Sequence, residues 1–238
     1  MSRVKISPDI SIILPVWNEC SIINTTLKHL KQQSRNKHIE VIVADAHPDS
    51  TTLQAINVRP SSRFTIITDR TEKGRGLQMN RGAQLANSSV LLFLHADTRL
   101  PAGAFDAIST TLQDSNIVGG AFDLHIRSNR WGYRLIETVA SIRSRLTRLP
   151  YGDQAIFIRK AYFDRTGGFR PFPIMEDVDL MRRIKIRGDR IQIISNPVQT
   201  DPRRWEKEGL IYGTLRNWTL MILFLAGISP HRLVKWYR

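Results

Sequence analysis

The sequence has one cysteine, Cys20, in 238 residues. An internal disulfide is therefore impossible, and the absence of any Cys/His cluster at ligand spacing argues against a structural zinc site. A reducing, cytoplasmic compartment is the expectation. No signal peptide is expected from the N-terminal stretch: residues 1–9 are short and polar, and the first apolar run, Ile10–Val16, reads as a buried strand. No apolar stretch reaches the ~20 residues of a spanning helix. Acids are scarce as well, with 21 Asp and Glu against 35 Lys and Arg and a formal net charge of +14. That excess points to a polyanionic partner (nucleic acid, an anionic membrane surface or phosphates) or to a basic, solvated surface, and does not choose among them. Hydrophobic residues at 42% and charged residues at 24% allow a real core. The length suits one α/β domain, and no repeat, linker or low-complexity tract divides it.

Short apolar runs alternate with segments of helical period. Strands are expected at Ile10–Val16, 39–44, 64–68 and 90–95, with helices over 21–33 and 77–86 and another starting near Pro101. Continuous apolar strands imply burial on both faces, hence a mainly parallel sheet flanked by helices. Ligands in such sheets bind at the carboxyl ends of the strands. The residues there are Asn18 and Glu19, then Asp45, then Asp69 and Arg70, then His95 and Asp97. Singly, each acid reads best as a cap or turn residue. Together they repel one another unless a cation or donors lie among them, which favours a site.

Three segments carry the chemistry. In Phe93-Leu94-His95-Ala96-Asp97, a carboxylate just past a buried strand can hold Mg²⁺ or Mn²⁺ with few protein ligands, leaving positions for diphosphate oxygens. The loop Glu72-Lys73-Gly74-Arg75-Gly76 opens into a helix and offers backbone N–H groups and positive charge to an anion, though alone it is a weak phosphate signal. In Met175-Glu176-Asp177-Val178-Asp179, helical spacing aligns Asp177 with Leu180, Met181 and Ile184, so Asp177 is expected inward. Glu176 is expected outward or in a salt bridge. An inward carboxylate at a helix start suits a general base, or an N-cap bonded to its own helix.

These segments, with Pro15-Val16-Trp17-Asn18-Glu19, Val43-Ala44-Asp45 and Met79-Asn80-Arg81-Gly82, occur in an order that resembles family 2 glycosyltransferases. The resemblance runs from about Ile10 to Gly188. It is closest to a small bacterial subgroup with Tyr151-Gly152-Asp153-Gln154, a Gly167-Gly168-Phe169 turn and a tail like Arg203-Arg204-Trp205-Glu206. It implies a GT-A fold (Rossmann-like) with a C-terminal helical tail, Mn²⁺ or Mg²⁺, usually a UDP-sugar donor, and inversion at the anomeric carbon. By position, Pro15, Glu19 and Asp45 would contact base and ribose, and Arg75 and Asn80 would line the donor pocket. His95 would orient the donor, Asp97 would hold the metal, and Asp177 would be the catalytic base. Gly120, Asp153 and Gln154 would lie near donor sugar and acceptor. The chain departs from the family in having His95 where the first acid of D-x-D stands, and in having Asp49 only four residues after Asp45.

The whole of 1–238 is expected to form one GT-A domain, with about 203–238 as a helical extension. Two segments bear on the charge. Over 129–149, Trp131, Leu135, Val139, Ile142, Leu146 and Leu149 share a helical face, which fits a helix on a bilayer or one packed on the sheet. The stretch 217–228 precedes Arg232, Lys235, Trp236, Tyr237 and Arg238, an interfacial ending, and fits a membrane surface, core packing or a dimer contact. The leading expectation is transfer of a sugar to a hydroxyl acceptor, lipid or lipid-linked, by a peripheral protein on the inner face of the membrane. A non-catalytic nucleotide-sugar-binding protein is the second reading. Nucleic-acid binding ranks last, because no recognition motif accompanies the charge.

Overall fold

A computed structural model describes residues 7–34 and 36–237. Residues 1–6, part of the stretch read as lacking a leader, and Arg238 of the basic ending lie outside them. The chain runs β1 (Ile10–Val16), α1 (Ile23–Gln33), β2 (Ile39–Asp45), α2 (Thr51–Ala55), β3 (Phe64–Arg70), α3 (Arg75–Leu85), β4 (Val90–Phe93) and α4 (Ala104–Thr111). Next come β5 (Ile117–Ile126), α5 (Trp131–Thr147), a 3-10 turn at Gly152–Gln154, β6 (Phe157–Arg159), α6 (Lys160–Arg165) and α7 (Glu176–Ile186). β7 (Arg190–Thr200), α8 (Arg203–Glu208), α9 (Leu210–Leu225), α10 (Pro230–Leu233) and a 3-10 turn at Val234–Trp236 complete it.

The seven strands form one sheet in the order β3-β2-β1-β4-β6-β5-β7. β6 runs antiparallel to β4 and β5; the remaining pairs are parallel. Alternate residues of β1 feed two cores, as the unbroken apolar run requires. Ile12 and Leu14 pack with Leu27 of α1 and Phe105 of α4, while Ile13 packs with Met79 and Ala83 of α3. α3 seats closely because Gly82 has no side chain: a Cβ there would meet Ile13 Cγ2 at 2.5 Å. A third cluster, Ile174 and Val178 with Leu220, Phe224 and Leu233, pins the C-terminal helices against the start of α7. Among the described residues no helix is long and apolar enough to cross a membrane.

Two expectations from helical spacing need correction, at Asp177 and at Leu149. Asp177, expected inward, is only partly buried, while Glu176 makes the salt bridge that is one of its two expected settings and is itself 2% exposed. The start of α7 is covered on two sides, by the sheet-side core through Leu180 and by α9 and α10 through Val178, so a single apolar stripe does not predict its inward face. Leu149 does not belong to the face of α5, because the helix stops at Thr147 and Leu149 turns into the core.

Candidate active site

The loop after β4 is a tight turn. Thr98 N–H donates to the His95 carbonyl at 3.1 Å, and Thr26 of α1 donates its hydroxyl to the Ala96 carbonyl at 2.5 Å. Those bonds fix Asp97 at the carboxyl end of the sheet with its side chain 33% exposed. Arg99 and Gln199 exchange backbone bonds at 2.8 and 2.9 Å. That bridge brings the end of β7 beside the loop, so Arg203 at the start of α8 lies 3.6 Å from Asp97 Oδ2 and 3.4 Å from Asp201. Glu19 belongs to the same group. Its carboxyl is pushed up, first by burial and then by the charge of Asp97, against a lowering by Arg203.

α7 supplies the opposite wall. Asp177 Oδ1 accepts the Val178 N–H at 2.8 Å and Oδ2 accepts the Gly152 N–H at 2.6 Å. Glu176 beside it faces Arg75, the first residue of α3, at 3.5 Å. Burial raises the Glu176 carboxyl; Arg75 opposes that rise and Asp177 adds to it. The Arg75 guanidinium is held firmly protonated, chiefly by Glu176. α3 can bring Arg75 here because Gly76 passes the Arg170 carbonyl so closely that a Cβ would meet it at 2.8 Å. Asp179, one turn on, is buried and bonded to Arg183 at 2.8 Å, and Arg183 donates to the Thr166 and Gly168 carbonyls. It anchors the turn that precedes α7.

Between these walls lies a cleft of about 250 Å³, lined among others by Arg75, His95, Asp97, Asp153, Glu176 and Asp177. Tyr151, Trp205, Asn217 and Tyr237 also line it. Burial pushes the Tyr151 hydroxyl up to about 12, so it stays a neutral donor, here toward Met221 Sδ at 3.2 Å. Asp45 is on the same edge of the sheet but outside the cleft lining. It is 1% exposed, with Oδ1 accepting the His47 N–H at 2.9 Å and Oδ2 buried without a hydrogen-bond partner. Trp17 stacks edge-on with His47, and Lys73 lies 4.2 Å above the Trp17 ring, in the same region.

Several sequence candidates are placed away from the cleft. Asn80 closes a two-bond ring with the Phe169 backbone, at 2.8 and 2.9 Å, and so clamps α3 to the turn before α7. Gln154 is fully buried: its amide donates to the Phe122 carbonyl at 2.9 Å and accepts from Ser144 at 2.8 Å and Tyr151 N–H at 3.1 Å. Gly120 lies within the sheet, where a Cβ would meet the Gln192 carbonyl at 2.0 Å. Pro15 is in β1, in register with Ala44. Asn217 and Tyr237, which line the cleft, and Arg203, which lies beside Asp97, have no site role in the sequence reading; the acid-free aromatic and basic ending is the one signal for the first two.

Among the described residues no group of three or more His, Cys, Asp or Glu could hold a metal ion. A hard carboxylate oxygen in an open cleft, as at Asp97, fits Mg²⁺ or Mn²⁺ that takes its remaining ligands from diphosphate and water.

The profile of glycosyl transferase family 2 matches residues 11–175, and the chain belongs to that family. Among curated proteins it is 27% identical over 169 residues to a PGL/p-HBAD biosynthesis glycosyltransferase of Mycobacterium bovis, covering 68% of this chain and 64% of that one. It is 28% identical over 116 residues to an uncharacterised Mycobacterium tuberculosis protein, covering 48% of this chain and 35% of that one. The chain thus spans less than two thirds of the length of these relatives. Among solved structures it resembles the Pyrobaculum calidifontis mannosyltransferase in complex with GDP-Man and Mn²⁺, with a TM-score of 0.65, 21% identity and coverage of 91% of this chain and 61% of that one. It also resembles S. aureus TarS in complex with UDP-GlcNAc, with a TM-score of 0.61, 15% identity and coverage of 81% and 58%. The GT-A fold follows.

Proposed function

We propose that the protein is an inverting glycosyltransferase that moves a sugar from a nucleotide-sugar, a UDP-sugar by the family resemblance, to a hydroxyl acceptor. The observation that carries this is the facing of Asp97 and Asp177 across one cleft at the carboxyl edge of the sheet, with Arg75 charged beside them. Asp45, Glu19 and Pro15 mark the side of the edge assigned to base and ribose, and the unpartnered Asp45 Oδ2 is an acceptor left for a ligand donor. Neighbouring structures that hold GDP-Man with Mn²⁺ and UDP-GlcNAc support a nucleotide-sugar donor.

Asp177 takes the proton of the acceptor hydroxyl, whose oxygen bonds to the anomeric carbon from the face opposite the leaving group. The bond from that carbon to the diphosphate oxygen breaks, and its electron pair leaves with the nucleoside diphosphate. Arg75 meets the charge that develops there, and Arg203 holds Asp97 in place. Asp97 would hold Mn²⁺ or Mg²⁺, which when bound neutralises charge on the diphosphate. The Gly152 N–H keeps Asp177 aimed into the cleft. A thermal-shift screen of nucleotides and nucleotide-sugars, with and without Mn²⁺, tests the donor class. UDP and a subset of UDP-sugars should raise the melting temperature, with an increment from Mn²⁺. No response to any nucleotide ends the reading.

A further inference from the structure

The cleft opens on one side toward α5 and α9, and those two helices have an unusual surface. Nine of the twelve exposed large hydrophobic side chains among the described residues lie on them. Trp131, Leu135 and Leu146 form an outward stripe on α5, exposed by 82%, 61% and 78%; Leu215, Trp218 and Ile222 form another on α9. Concentration of this kind on a polar protein marks an interaction surface.

The helices run in the same direction. Near their starts a Cβ on Gly132 would meet Leu210 Cδ2 at 2.8 Å, and further along Arg143 shares a hollow with Asn217 and Trp218. Tyr133 of α5 packs into the core under the sheet and Leu220 and Phe224 of α9 pack on the start of α7, so each stripe lies opposite its own helix's buried face. Between the helices is a hollow of about 50 Å³, walled by Ile136 and Ala140 from one and Thr214 and Trp218 from the other. Tyr151, Asp153, Trp205 and Asn217 line both this hollow and the cleft. A path of mixed lining, apolar at Ile136, Ala140, Trp205 and Trp218 and polar at Arg143, Asp153 and Asn217, therefore leads from the cleft to the helix pair.

Acids are few beside that path: Asp153 lines the hollow opposite Arg143, and the chain beyond Glu208 carries none. Arg232, Lys235 and Arg238 occur in that last stretch; Arg216 is already paired with Glu208 at 2.6 Å. The one acid of α5, Glu137, has a side chain only 12% exposed, and it accepts the Ile126 N–H at 2.6 Å. An apolar face set in an acid-free, basic segment complements an anionic lipid surface, whereas a protein partner would need no such sign.

We infer that the crevice between α5 and α9 is the acceptor groove, and that the acceptor is an amphiphilic alcohol drawn from an anionic bilayer. Its hydroxyl lies in the cleft at Asp177, its hydrocarbon chain runs between the helices, and the stripes rest on the membrane. This names the acceptor of the proposed transfer reaction and rests on that reading.

The probe is a long-chain primary alcohol carrying a diazirine in its chain, photolysed with the full-length protein on phosphatidylglycerol-phosphatidylcholine vesicles, with adducts mapped by mass spectrometry. Adducts should fall on the hollow-lining residues of α5 and α9. Ala140→Trp, and independently Thr214→Phe from the other wall, should cut them tenfold or more while vesicle co-sedimentation and the UDP-induced thermal shift stay at wild-type values. Trp131→Glu with Leu146→Glu should abolish co-sedimentation and leave the UDP shift unchanged. Adducts scattered over the surface, unchanged labelling in both wall variants, or dimerisation through this face without vesicle binding would each overturn the inference. Groove labelling with no nucleotide response would retain the groove and sink the transfer reading; a nucleotide response without groove labelling would do the opposite.

Discussion

The Gly152 backbone N–H donates to Asp177 Oδ2 at 2.6 Å, across 25 residues of sequence. The bond joins the turn after α5 to the first turn of α7 and sets the direction of one carboxylate oxygen. A Cβ on Gly152 would lie 3.2 Å from that oxygen and 3.3 Å from His95 Nε2, so three groups of the cleft meet at this glycine.

Gly152→Ala should therefore act on the chemistry more than on the fold. The added methyl has room only if Asp177 and His95 each give by a few tenths of an ångström, and a small misplacement of a base is costly in rate. The expected outcome is a fall in kcat of about tenfold or more, with the melting temperature nearly unchanged. Steady-state kinetics beside calorimetry check it, and unchanged kcat would show that Asp177 orientation is not limiting.

Asp97→Asn should remove the metal-dependent part of nucleotide binding. UDP affinity in Mn²⁺ should fall at least tenfold, about 1.4 kcal/mol, which is roughly 3–6 °C of the ligand-induced thermal shift. In the same variant the Glu19 carboxyl should titrate lower, because the Asp97 charge that helps raise it is gone. An intact Mn²⁺ increment would take the metal away from Asp97.

Strands β1 and β2 were legible because each is buried on both faces, so their apolar runs had no competing period. β6, three residues long, and β7, exposed at alternating and irregular positions, carried no such signal. The strand-end rule pointed to Asp97, which lines the cleft, because acids gathered at several neighbouring strand ends need a cation or donors among them. It could not separate a cleft residue from a clamp. Asn80 and Gln154 are polar residues inside motifs, yet their side chains are spent on backbone groups of Phe169 and Phe122. Only the tertiary arrangement shows which atoms remain for a ligand. Glu176 and Asp177 show the same limit, because the inward side of α7 depends on α9 and α10, which arrive more than thirty residues later.

The Arg75–Glu176 pair predicts a pH-dependent defect. Removing one partner of a buried pair costs ~3–5 kcal/mol, to be discounted here to the order of 1–3 kcal/mol because the Arg75 side chain is 44% exposed. In Arg75→Met the rise of the Glu176 carboxyl is no longer opposed. A raised carboxyl means that the folded state holds a proton the unfolded chain releases above its ordinary value near 4.5, so stability falls as pH rises through the folded value. The variant should be less stable than wild type at pH 8, and the deficit should shrink toward pH 4.5. Adding Glu176→Gln should restore stability at pH 8. Urea unfolding across pH measures both, and a pH-independent deficit would assign the loss to packing.

The central claim is that Asp177 takes the acceptor proton. Once the donor is identified by thermal shift, Asp177→Asn should bind it with wild-type affinity and lose transfer by 10²–10⁴-fold or more, measured as product formed per enzyme under saturating donor and acceptor. Wild-type turnover in that variant, with donor binding intact, would contradict the account.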